Sequence, residues 1–175
     1  MPARVTVYCR RSVAHLTPRA MRAELDSADL MTLAEALDLP EGEEAAVKAI
    51  RPHLRVEGEG GPFDYAEVHW RPSGRPIQIE RVTAPNRVRG DVDEVLEELS
   101  GLEATGARRV CEHLRGVREV VYFEMGIGDS LHLGATLTEV LAFFVAEAGD
   151  GLCDFYRRDW ASPADRATNI FVWPS

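Results

Sequence analysis

The chain has 175 residues and a formal net charge of −9, with 45% apolar and 28% charged residues, the proportions of one folded globular domain spanning residues 1–175 rather than of a disordered chain. Arginine pairs stand at 10–11, 108–109 and 157–158, with no sustained basic segment, which argues against a nucleic-acid binder held by phosphate neutralisation. No apolar run approaches the ~20 residues of a membrane span, and the N-terminus lacks the apolar core of a signal peptide.

Residues 4–9 alternate Val5, Val7 and Cys9 with Thr6 and Tyr8, which predicts a strand with one buried face. Thr17 before Pro18 marks a helix start, with Leu16 and Met21 placed as a hydrophobic staple and Met21 and Leu25 facing inward. Thr32-Leu33-Ala34-Glu35 has the form of a capping box and predicts a second helix that ends by Pro40. Glu41, Glu43 and Glu44 suit the first turn of a third helix, stopped by Pro52, because carboxylates meet the positive end of the helix dipole there.

A short strand over residues 54–57 and a glycine-rich loop lead to a hairpin. Its strands, 65–71 and 76–83, flank Pro72-Ser73-Gly74-Arg75. Pairing Arg71 with Pro76 sets Trp70 against Ile77 and Val68 against Ile79 on one face. On the other face, Glu67 then stands opposite Glu80, and His69 opposite Gln78.

Asp91-Val92-Asp93-Glu94 predicts the start of a helix ending at Gly101. Another helix, from about residue 106 to 115, turns Val110, Cys111 and Leu114 inward. The run Val120-Val121-Tyr122-Phe123, inside a strand over 118–125, is continuous enough for a central position. Thr136-Leu137-Thr138-Glu139 is a third capping box, opening a helix with the wide apolar stripe Leu137, Val140, Leu141, Phe144 and Val145. Strands over 152–158 and 169–173 close the chain. This order predicts an α+β fold: a mixed, mostly antiparallel sheet with helices packed mainly on one face.

Motifs for chemistry are sparse. Cys9, Cys111 and Cys153 match no zinc or Cys-x-x-Cys spacing, sit inside predicted elements as small core residues, and fit a reducing, cytoplasmic setting. His15, His53, His69, His113 and His132 form no metal-binding pattern, so no metal and no cofactor is expected. Gly128-Asp129-Ser130-Leu131 spells the nucleophile motif of GDSL hydrolases, but no histidine follows His132 to serve as base. Gly126 and Gly128 lack the third glycine of a dinucleotide fingerprint. No catalytic residue is assigned.

Two acidic sets remain as candidate partner-binding residues, each also readable as a solvated face. Glu67, His69 and Glu80 share the outer face of the hairpin, where opposed carboxylates need a compensating cation. Asp93, Glu94, Glu97 and Glu98 line one side of a helix and set up a negative field that speeds encounter with a basic protein. Asp154 and Tyr156 are candidates for lining a cleft, beside a framework role.

The order of elements and two stretches resemble the immunity proteins of bacterial, myxobacterial-type polymorphic toxin systems. The stretches are Ala28-Asp29-Leu30-Met31-Thr32-Leu33-Ala34-Glu35 and Ala146-Glu147-Ala148-Gly149-Asp150-Gly151-Leu152 with Asp154-Phe155-Tyr156. The resemblance implies a cytoplasmic, non-catalytic protein that neutralises a cognate toxin by binding it, the partner being a basic protein rather than nucleic acid or membrane. The alternatives are a small-ligand or regulatory module, or a small hydrolase.

Overall fold

Strand β1 (Ala3–Cys9) carries apolar residues toward both faces, Val5 and Val7 one way and Tyr8 the other, and is buried from Val5 onward. A strand with two apolar faces belongs in the middle of a sheet covered on both sides, and that is where it lies. The structure, a computed structural model, describes residues 3–32, 44–58, 61–128, 133–157, 159–165 and 169–172. With β2 (Arg55–Gly58), β3 (Tyr65–His69), β4 (Ile77–Val82), β5 (Glu119–Met125), β6 (Gly151–Phe155), β7 (Asp159–Ala161) and β8 (Phe171–Val172), β1 forms one eight-stranded sheet in the order β2-β3-β4-β5-β1-β6-β7-β8. Every pairing among the described residues is antiparallel. The fold is α+β, and β5 holds the central place its apolar run predicts.

Helices cover both faces. α1 (Pro18–Ser27), α2 (Glu44–Ile50) and α5 (Leu133–Gly149) build the larger core with Val5, Val7, Ile77, Ile79, Val121 and Phe123. α3 (Pro85–Leu99) and α4 (Thr105–Leu114) build a second core on the opposite face with Tyr8, Val82, Val120, Leu152 and Trp160. On α3 the buried residues are Val88, Val92, Val95 and Leu99, a spacing that keeps one stripe against the sheet. Each such side chain contributes about 1.5–3 kcal/mol on burial. Among the described residues no helix is long and apolar enough to cross a membrane.

Several boundaries differ from the sequence expectation. The hairpin pairs Glu67 with Gln78, Val68 with Ile77 and Tyr65 with Glu80, a slip of two residues from the predicted register. A two-residue slip leaves every side chain on its own face, so the apolar pattern fits both registers equally. The turn decides: Pro76 has no N–H for the ladder, and Trp70 leaves the strand to hold the Arg71 guanidinium 4.0 Å from its ring. The Glu67–Glu80 opposition is therefore not formed. Glu67 faces another carboxylate all the same, that of Glu57 on its other side.

α3 starts at Pro85, not at Asp91, with Pro85 in the first turn and no side-chain cap from Ala84. Gly90 lies on its open side, with no atom near where a Cβ would stand. Thr136 and Thr138 do not cap α5 but lie fully buried within it, because this helix is covered almost all round. Residues 30–32 are already helical; the cap at that point is Asp29, whose carboxylate takes the Thr32 N–H at 3.2 Å and its hydroxyl at 2.8 Å. The expected partner Glu35, together with Glu41 and Glu43, lies outside the described residues. Cys9 and Cys153 are buried, whereas Cys111 is only half-buried. The final stretch holds one strand more than expected, β7.

Candidate functional site: a polar strip beside helix α3

The antiparallel registers stack side chains of the α3 face into rows that cross the sheet. One row is apolar: Leu152, Tyr8, Val120 and Val82, directly paired from β6 to β4. α3 and α4 cover it. The next row runs Asp154, Thr6, Tyr122, Glu80, Tyr65, and the one beyond it Arg4, Glu124, Gln78, Glu67, Glu57. These two rows are polar, and α3 runs along the edge of the first. Arg87 reaches Glu80 at 3.1 Å, Asp91 accepts the Tyr122 hydroxyl, and Glu94 meets Arg157 at 2.6 Å. The result is a polar strip with the sheet as floor and α3 as wall.

At the β2–β4 end the strip is an open shelf. Tyr65, exposed at 39%, donates its hydroxyl to Glu67 Oε1 at 2.6 Å, and that bond is the main reason the Glu67 carboxyl sits below its usual pKa. The Gln78 side chain also bonds Glu67 and takes Arg75 at 2.7 Å. His69 Nε2 lies 3.4 Å from Glu67 and 3.9 Å from Glu57, with no well-formed hydrogen bond to either.

At the β6 end the strip narrows to a cleft of about 370 Å³. It is lined by Arg4, Thr6, Tyr8, Glu124 and Asp154 of the sheet, Asp91 and Glu94 of α3, and Arg157. Asp154 is 4% exposed and its Oδ1 has no hydrogen-bond partner. Burial pushes its pKa up to about 7, against the opposing pull of the Arg157 charge and backbone N–H. Burial likewise raises the pKa of Tyr8 and, together with the bond to Asp91, that of Tyr122. Tyr8 stacks on Trp160 at 5.3 Å. The Arg4 guanidinium lies 3.6 Å from the centre of the Tyr122 ring.

The turn after β6 places Arg157. Tyr156 and Arg157 both adopt left-handed φ, 57° and 58°, a conformation that costs non-glycine residues energy unless the surroundings hold it. Here the hold is ionic: Arg157 bridges Glu94 and Glu98, the latter at 3.6 Å, and its bond to Glu94 keeps that carboxyl below its usual pKa.

The strip brings together Glu67, His69, Glu80 and Glu94, with Glu98 at its rim. It does not take in Asp93, which lines a separate groove of about 570 Å³ on the other flank of α3 with Val88, Val92, Leu96 and Leu114. Glu97 follows Asp93 one turn on, so it shares that flank. The predicted acidic face of this helix is thus divided, and its strip side is partly neutralised by Arg87 and Arg157. Sequence reasoning offered Asp154 as a candidate for lining a cleft beside a framework role and read Asp91 only as part of a helix start; Arg4, Tyr8 and Tyr122 were not singled out, because the patterns of two strands were all that marked them. Tyr156 is exposed in the turn rather than lining the cleft. Asp129, Ser130 and His132 of the hydrolase-like motif lie outside the described residues. Among the described residues, no three His, Cys, Asp or Glu side chains are grouped to hold a metal ion. Comparison with protein-family models, curated proteins and solved structures gave no match.

Proposed function

We propose that this chain is a non-catalytic binding protein of the toxin-immunity kind, acting in the cytoplasm, and that it holds a basic partner protein along the strip beside α3. The observation that supports this reading best is the uneven cover of the sheet. One face carries the larger apolar core under α1, α2 and α5, whereas the other has two polar rows beyond the α3 wall, exposed at Glu80, Tyr65 and Glu57. A sheet surface of this kind, with Tyr65 standing among Glu57, Glu67 and Glu80, offers an aromatic anchor inside a ring of carboxylates. Interfaces draw their affinity from such anchors and their speed and selectivity from the charges around them. The resemblance to immunity proteins points the same way.

The test is rescue. The reading frame adjacent to this gene is expressed in a test bacterium with and without this chain, and survivors are counted. A lethal neighbour whose effect is reversed by this chain is the expected result. A neighbour that is harmless, or that kills equally in its presence, would contradict the reading.

A further inference from the structure

We infer that the Asp154 end of the strip is a binding site for an organic cation, a primary ammonium or guanidinium group that enters the cleft between α3 and strands β1, β5 and β6 and donates a hydrogen bond to Asp154. The inference does not depend on the partner-binding reading, since it rests on the cleft and not on the open shelf.

Three observations carry it. First, the cleft has the volume of a small-ligand site, about 370 Å³. Second, Asp154 lines it while 4% exposed, with Oδ1 unpartnered. A buried carboxylate oxygen without a donor is costly and calls for one, and no neighbour among the described residues donates to Oδ1. The Arg157 guanidinium is drawn to Glu94 and Glu98, the Arg4 guanidinium lies on the Tyr122 ring, and Trp160, directly across the β6–β7 pairing, makes no bond to it. Third, the lining carries the carboxylates of Asp91, Glu94, Glu124 and Asp154 against the guanidiniums of Arg4 and Arg157, so the missing charge is positive. The carboxylates are not gathered as a metal cage among the described residues, and the orphaned oxygen lacks a hydrogen-bond donor, which the N–H of an organic cation supplies together with the positive charge.

Protons should move with the ligand. Asp154 is faced by Arg4 and Tyr8 of β1, Tyr122 and Glu124 of β5, Asp91, Glu94 and Glu98 of α3, and Arg157 of the turn. Burial holds its pKa up near 7. A bound cation favours the carboxylate, so binding at pH 6 should release a proton and affinity should rise between pH 6 and pH 8.

Titration calorimetry of the full chain tests this with n-butylammonium and n-butylguanidinium, tetramethylammonium serving as a cation without N–H. A capped Gly-Lys-Gly peptide presents the same ammonium as a side chain. Saturable binding of the N–H cations is expected, at least about tenfold tighter than tetramethylammonium and weakened at least about tenfold by Asp154→Asn. In either source arm the site stands: a peptide that binds more tightly than the free amine assigns it to a partner's side chain, and the reverse assigns it to a small molecule. No saturable binding of either N–H cation at pH 8, or equal affinity in Asp154→Asn, would overturn the inference. Neither result bears on rescue of the test bacterium, so the two proposals fail separately.

Discussion

Asp154 is ionisable, buried and short of one hydrogen bond, and these properties set a pH dependence of stability. Burial raises its folded pKa to about 7, from the ordinary carboxyl value of 3.8. A carboxyl raised on folding favours the native state while it is protonated. Its contribution is therefore complete below about pH 4, declines as pH rises, and is lost above about pH 7. The shift corresponds to roughly 4 kcal/mol. Asp154→Asn keeps the shape and removes the charge, so the variant should melt above the wild type at pH 8 and close to it at pH 4; thermal unfolding across that range checks both. His113 acts in the opposite sense. Burial lowers its pKa while Nε2 bonds the Tyr8 carbonyl at 2.8 Å, so it stabilises the neutral-pH fold and loses that contribution as pH falls through its folded pKa. Asp154 was legible in the sequence as one face of an alternating strand, a candidate for a cleft beside a framework role; which face turned inward was not. Arg157 was not, because the two left-handed residues that aim it toward α3 are invisible to alternation. A buried histidine on a helix carries no sequence mark that separates it from an exposed one.

At the scale of elements, α4 and β8 show how closely two pieces of backbone meet. A Cβ on Gly106 would stand 2.0 Å from the Ile170 carbonyl oxygen, and backbone cannot yield as a side-chain tip can. Gly106→Ala should push the Ile170–Phe171 segment from its place, where the Ile170 N–H bonds the Trp160 carbonyl and Phe171 pairs with Trp160. A loss of about 1–3 kcal/mol is expected, with faster hydrogen exchange at the Ile170 amide than at β1. Element type was legible where one signal dominated: the alternation of β1, the apolar run of β5, the Thr17-Pro18 start of α1, whose Thr17 hydroxyl takes the Ala20 N–H at 3.1 Å. Boundaries failed where two signals competed. Asp91, Asp93 and Glu94 looked like a helix start and hid the true one at Pro85, and the threonines of α5 looked like caps although the core wants them inside. The hairpin faces were legible and the register was not, since periodicity of two cannot distinguish slips of two.

Across the whole molecule, rows of side chains matter more than any one strand. The strip exists because β1, β4, β5 and β6 each place an apolar residue under α3 and polar residues beyond it, and only the registers reveal that these align. From the sequence, Glu67, His69 and Glu80 could be assigned to one face of a hairpin, and Glu94 and Glu98 to one side of a helix. That α3 would lie beside that hairpin face, while Asp93 and Glu97 turned away, is a tertiary fact with no local signature. The central claim is that this strip, and not the opposite flank of α3, holds the partner. The most direct measurement is rescue of the test bacterium by two charge-reversed chains, each first shown to melt like the wild type: Glu57→Arg with Glu67→Arg, and Asp93→Arg with Glu97→Arg. Loss of rescue by at least about tenfold in the first and near-full rescue in the second is the expected result. Full rescue by the shelf variant, with loss confined to Asp93 and Glu97, would place the partner on the other flank and contradict the claim.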